Sequence, residues 1–139
     1  MDIDKHIKAF QKIGLSPNFI KKLKIYEQLL IDFNKDYNLV SKNSLNDLWN
    51  RHFLDSAQLT KFIVFNDNKS LSDLGSGAGF PGMILAIINE NPNFHVKLYE
   101  KSPIKCKFLT ILREKLRVNV DILNVDINYA NINSEYIVC

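Results

Sequence analysis

The chain has 139 residues, 46% of them apolar and 24% charged, the balance of one globular domain with a proper core. It holds no apolar run of about 18 residues to span a membrane, and its start, Met1-Asp2-Ile3-Asp4-Lys5-His6, lacks the charged-then-apolar order of a signal peptide. Two cysteines make neither a disulfide framework nor a metal cluster, and a net charge of +3 suits a nucleic-acid partner without requiring one, so the cytoplasm is the expected compartment.

Ile3, Ile7 and Phe10 share a face, so residues 3–12 read as a first helix, stopped by Gly14. Ser16 is placed as an N-cap with Pro17 behind it, opening a long helix in which Phe19, Ile20, Leu23, Tyr26, Leu30 and Phe33 recur at helical spacing. Lys21, Lys22 and Lys24 lie largely off that stripe and read as a solvated face rather than an RNA patch. The polar stretch from Asn34 to Asn43 reads as a loop. Ser44 and Asp47 then form a capping signature for a helix that turns Leu45, Leu48 and Trp49 inward. That helix ends in Arg51-His52-Phe53-Leu54-Asp55-Ser56, and a further apolar run reaches Phe65. Residues 1–66 thus form a helical extension ahead of a core at 67–139.

The core opens with a short strand, Ser70 to Leu74, and turns through Gly75, Gly77, Gly79 and Gly82 into an apolar helix from Pro81 to Ile88. Four of the five glycines stand in these eight positions, more than one tight turn needs, and they bring bare backbone N–H groups and a helix N-terminus to one point. His95 to Glu100 alternates as a second strand. Pro103 to Leu116 is a helix with Ile104, Phe108, Ile111 and Leu112 facing the sheet and Lys105, Lys107, Arg113 and Lys115 outside. Val118 to Val125 is a third strand, and Tyr136 to Cys139 begins a fourth. Strands alternating with helices mean an α/β fold with a parallel sheet. A doubly wound sheet continues past a fourth strand, so the chain reads as truncated at its C-terminus.

Two ligands compete for the glycine loop. Gly77-Ala78-Gly79-Phe80-Pro81-Gly82 matches G-x-G-x-x-G, and Glu100 lies where an acid holds ribose hydroxyls, which describes a dinucleotide site in an NAD-linked oxidoreductase. Read from the strand's end, the motif is instead Asp73-x-Gly75-x-Gly77-x-Gly79. An acid just before the first glycine repels a pyrophosphate but suits a cation, and S-adenosylmethionine carries a sulfonium and an ammonium with no diphosphate. Charge logic favours S-adenosylmethionine, with Glu100 still on the ribose. Asp73 has a second reading, as a residue that orders the glycine turn by hydrogen bonding. A third possibility is a non-catalytic fragment that binds RNA through its lysines.

Asn38-Leu39, Arg51-His52-Phe53-Leu54-Asp55-Ser56, Asp73 to Gly82, Glu100, Lys105 and Phe108-Leu109 together resemble the bacterial 16S rRNA guanine-N7 methyltransferases, the glucose-inhibited division protein B family. The resemblance implies a Rossmann-like methyltransferase core, S-adenosyl-L-methionine as donor, and a guanine N7 of the small-subunit 16S rRNA as acceptor. It implies that Gly75 and Phe80 border the cofactor and that Ile127 and Asn128 match the adenine-side pair. Two departures stand out. The family's Arg-[Val/Ile]-Glu is here Asp126-Ile127-Asn128, and the arginine that follows the family's fourth strand falls beyond Cys139.

Guanine N7 has a free lone pair, so no catalytic base is expected, and rate comes from in-line positioning of an exposed base. Arg51 and His52 are the candidates for RNA contact, against the simpler reading that His52, Asp55 and Ser56 cap and tie helices. His6 and His95 have no partners at metal spacing. Cys106 stands between two lysines, which lower a thiol's pKa, but reads as inert. No metal is expected, and a monomer is the default.

Overall fold

The computed structural model describes residues 3–15 and 19–139. Its centre is a four-stranded, wholly parallel sheet built from β1 (Ser70–Leu74), β2 (His95–Tyr99), β3 (Asp121–Leu123) and β4 (Tyr136–Val138), in the spatial order β3-β2-β1-β4. The register sets Asp73 opposite Leu98 on one side and Val138 on the other. Between the strands run α5 (Gly82–Ile88) and α6 (Pro103–Leu116), preceded by the helices of the N-terminal half: α1 (Ile3–Lys12), α2 (Ile20–Asn34), α3 (Lys42–Asn46) and α4 (Asp55–Ala57). Strand order reverses at β1, because β2 and β3 build outward on one side and β4 returns to the other. In open parallel sheets, ligands bind beyond the carboxyl ends of the strands at such a reversal.

The apolar stripe of α2 lies where its spacing puts it, with Ile20, Leu23, Tyr26 and Leu30 buried and Phe33 half-buried against α6 and its Phe108. Lys21 and Lys24 are exposed and Lys22 half-buried. The Ser16–Pro17 cap lies outside the described residues. Helix α5 is buried on nearly every side, from Gly82 to Ile87, because the sheet covers one flank and α4 the other. One continuous apolar core results, running from Phe10 and Trp49 in the helical half to Phe94, Leu98 and Phe108 beneath the sheet.

Several local expectations need correction. The helix placed at Ser44 begins at Lys42, because the Ser41 hydroxyl accepts from the Ser44 N–H at 3.1 Å and supplies the cap one turn earlier. The loop before it is ordered by Asn34, whose Oδ1 accepts from the N–H groups of Leu39 and Val40 at 2.8 and 3.1 Å. Trp49–Leu54 is a π-helical turn, continuing through α4 into a 3₁₀ turn at Gln58–Phe62, so the chain stays helical where an apolar run alone was read. Ile104 is 45% exposed, since the first turn of α6 projects past the sheet, and Cys106 takes the inward place instead. The third strand pairs only over Asp121–Leu123; Val118 and Val120 are buried but outside the ladder. Among the described residues no helix is long and apolar enough to cross a membrane.

Candidate functional site

Beyond the carboxyl ends of the strands, the loop from Gly75 to Pro81 separates two cavities. Four hydrogen bonds from main-chain N–H groups fix it. The N–H groups of Gly75 and Ser76 donate to the Tyr99 carbonyl at 2.8 and 3.1 Å, joining the end of β1 to the end of β2. The Gly77 N–H donates to Glu100 Oε1 at 2.9 Å, and the Gly82 N–H donates to Asp73 Oδ2 at 2.9 Å. The glycines therefore have separate reasons. Gly75 holds φ +79° with open space where a Cβ would stand, so bare backbone faces outward. A Cβ on Gly79 meets the Tyr26 hydroxyl and Met83, and one on Gly82 meets the Asp73 carboxylate and Leu98. The last two are packing glycines.

Asp73 is completely buried and lines neither cavity; Oδ2 is bonded to Gly82 and Oδ1 has no partner. Burial pushes its carboxyl up to about 6, against the pull of the Gly82 N–H and the Ser76 hydroxyl, with the Glu100 charge adding to the rise. The loop-ordering role is thus the one its geometry displays. Beneath the loop, the buried Tyr26 hydroxyl donates to the Ala78 carbonyl at 2.5 Å, and burial followed by the Asp73 charge holds its pKa well above the ordinary phenol value. Tyr26 therefore stays a protonated donor.

The first cavity, about 310 Å³, lies over β1, β2 and β3. Gly75, Glu100, Ile127 and Asn128 line it together, so the ends of three elements bring four of the sequence-selected residues to one place. Glu100 is buried, and its second oxygen accepts from the Ser102 N–H at 2.6 Å. Each carboxylate oxygen keeps a further lone pair. Asp126 caps the 3₁₀ turn Ile127–Tyr129 by accepting from the Asn128 N–H at 2.9 Å, which aims both following residues. Ser102, Asp126 and Lys105 also line this cavity, though the sequence reading selected none of them as a site residue and set Lys105 on the outer side of its helix; the Asp-x-Asn capping pattern was the available signal for Asp126. Cys106 donates to the Glu100 carbonyl at 3.2 Å, and burial with the nearby Glu100 charge pushes its thiol up rather than down.

The second cavity, about 510 Å³, lies on the other side of the loop toward β4 and is lined by Arg51, His52, Asp55, Ser56, Phe80 and Pro81 among others. Phe80 belongs here and not to the Glu100 cavity. Its ring stacks on His52 (4.5 Å, 16°) and on Tyr26 (5.6 Å, 8°), which fastens the loop to the helical half of the molecule. Burial, then the Arg51 charge, lowers the His52 pKa, while Asp55 and Asp47 pull the other way; its Nε2 is buried without a partner. Gly77 and Gly79 border neither cavity. Among the described residues no His, Cys, Asp and Glu gather as metal ligands.

The family model for GidB, rRNA small subunit methyltransferase G, matches residues 19–139, a span that includes both cavities and the loop between them. The chain belongs to this family. Relatives named ribosomal RNA small subunit methyltransferase G include that of Rickettsia akari, 39% identical over 90% of this chain and 63% of its own, and that of Rickettsia bellii, 40% identical over 91% and 64%. The chain thus spans a little under two thirds of the relatives it matches. Among solved structures, a protein-L-isoaspartate O-methyltransferase superposes with TM-score 0.50 at 18% identity, over 61% of this chain and 28% of that one, a likeness of fold. The Rossmann-like methyltransferase architecture expected of the family member is the one observed.

Proposed function

We propose that this family member binds S-adenosyl-L-methionine in the Glu100 cavity and serves methylation of a guanine N7 in 16S rRNA of the small ribosomal subunit. The observation that carries the reading is the cavity itself, where bare backbone at Gly75, the Glu100 carboxylate, Ile127 and Asn128 converge at the end of a parallel sheet. This set fits an adenosyl group. Glu100 has lone pairs left for two ribose hydroxyls, Ile127 offers an apolar face to a purine ring, and the Asn128 amide offers a hydrogen bond to its edge. The cofactor supplies an electrophilic methyl group.

The protein's own part is positional. Asp73 holds the N-terminus of α5 through Gly82, and Gly77 holds Glu100, so the loop and the ribose-binding acid are one assembly. Guanine N7 has no proton to lose, so neither cavity needs a catalytic base, and the rate comes from alignment and exclusion of water. Residues 1–66 act as a helical layer that braces this assembly, and work on ribosomal RNA places the protein in the cytoplasm.

Calorimetric titration with S-adenosylhomocysteine, with NAD run alongside, tests the reading. Saturable binding of the first alone is expected, with Glu100→Gln weakening it about 30- to 100-fold, the loss of charge-assisted bonds to both hydroxyls. Binding of NAD in its place overturns the proposal.

A further inference from the structure

The second cavity is lined by three charged residues, Arg51, Asp55 and Lys61; the Lys61 ammonium lies over the Phe62 ring, while Arg51 and Asp55 are opposite charges not spent on each other. Arg51 and Asp55 are both exposed, both line the cavity, and neither makes an ion pair or side-chain hydrogen bond among the described residues. They stand on the π-helical turn and at the start of α4, one turn apart, a spacing set by backbone that packing holds through the buried Trp49, Phe53 and Ala57. Phe80, its ring stacked on His52 and Tyr26, and Pro81 form the apolar wall beside them. Phe80 and Pro81 belong to the same loop whose first residue, Gly75, lines the other cavity.

We infer that this cavity seats the acceptor nucleotide, with the Asp55 carboxylate selecting guanine through its N1–H and N2–H₂ donors and Arg51 holding a phosphate. A carboxylate is acceptor-only and has two oxygens side by side. Guanine is the one common base that presents two adjacent donors on its Watson–Crick edge; adenine presents an acceptor at N1, which a carboxylate repels. A guanine held by that edge keeps its N7 on a different edge, free of protein contacts and open to an incoming methyl group. Arg51 supplies affinity without base preference, since a phosphate contact positions and a base contact specifies. The inference rests on the methyltransferase reading only for what happens at N7; the selection itself is a property of Asp55.

The test is a titration of the whole chain with GMP, IMP and AMP, followed through the amide NMR shifts of residues 51–56, with and without S-adenosylhomocysteine. IMP lacks the N2 amino group and is expected to bind about 10-fold more weakly than GMP, and AMP weaker still. Asp55→Asn should erase the GMP preference and Asp55→Glu should keep part of it, while Arg51→Ala weakens all three nucleotides alike, by about threefold to tenfold. Because Asp55 is exposed, both substitutions leave the fold intact, which a thermal melt checks. Equal binding of GMP and IMP, a GMP preference that survives Asp55→Asn, or no GMP binding at these residues overturns the inference. GMP selectivity without S-adenosylhomocysteine binding supports the seat and removes the methyl-donor reading instead.

Discussion

The two cavities on either side of the glycine loop are made from different materials. The acids of the Glu100 cavity are already committed to holding backbone: Glu100 bonds Gly77 and Ser102, and Asp126 bonds Asn128. In the second cavity Arg51 and Asp55 make no ion pair or side-chain hydrogen bond among the described residues. A site whose acid also ties the loop is preformed and tolerates little change, because its binding and its architecture share atoms. A site of free side chains on a rigid helical turn separates the two, so substitution there alters preference and spares the fold. This difference predicts where mutations hurt stability and where they hurt only binding.

The largest effect belongs to the loop itself. Gly79→Ala sets a methyl group against the Tyr26 hydroxyl and Met83 at φ +106°, so overpacking and left-handed strain add up to about 3–5 kcal/mol of destabilisation. Urea unfolding should show it as a fall in midpoint, and both cavities should lose their ligands together. Survival of binding in the second cavity alone would break the picture of one shared loop.

Next in size is the buried acid. Asp73 is raised from 3.8 to about 6 in the folded chain, so between those values the folded state holds a proton that the unfolded state has released. Stability from this group therefore falls as pH rises from about 4 to about 6, by ~3 kcal/mol, and stays at the lower level above. Asp73→Asn removes that slope. Its amide can still accept from Gly82, but its NH₂ occupies the position where Oδ1 has no partner, which costs ~1–3 kcal/mol and offsets the gain at neutral pH. Unfolding free energies measured at pH 4.5 and pH 7 should converge in the variant and differ in the wild type.

How much of this was legible in sequence follows from what each residue contacts. The β1 strand, the α5 helix and the alternation behind the parallel sheet were readable because period and glycine placement are local. Gly75 and Glu100 were readable together because each stands just past a strand and parallel strands bring their ends together, whereas Ile127 and Asn128 came from the family resemblance. The separation of Phe80 from that group was not, because it depends on His52 and Tyr26, 28 and 54 residues earlier in the chain. The π-helical turn was hidden for a related reason: its period departs from 3.6, yet Trp49 and Phe53, four apart, both reach the core as they would on an ordinary α-helix, so the apolar spacing reads the same. Glu100 could be picked out as an acid, but which main-chain N–H groups claim it is a tertiary fact.

The smallest effect sharpens the account of the first cavity. Asn128 is exposed at the cavity rim, while its main-chain N–H supplies the bond to Asp126. Asn128→Ala therefore leaves the turn standing and removes one hydrogen bond to the purine, which in a solvent-exposed place is worth about 0.5–1 kcal/mol. S-adenosylhomocysteine should bind about twofold to fivefold more weakly, with no change in Tm. Asp126→Ala takes away the cap instead, which costs ~1 kcal/mol and releases Ile127 and Asn128 together, so its loss of affinity should exceed that of Asn128→Ala. If the order is reversed, the Asn128 side chain carries the adenine contact by itself, and the turn that Asp126 holds is only a support for the loop leading to β4.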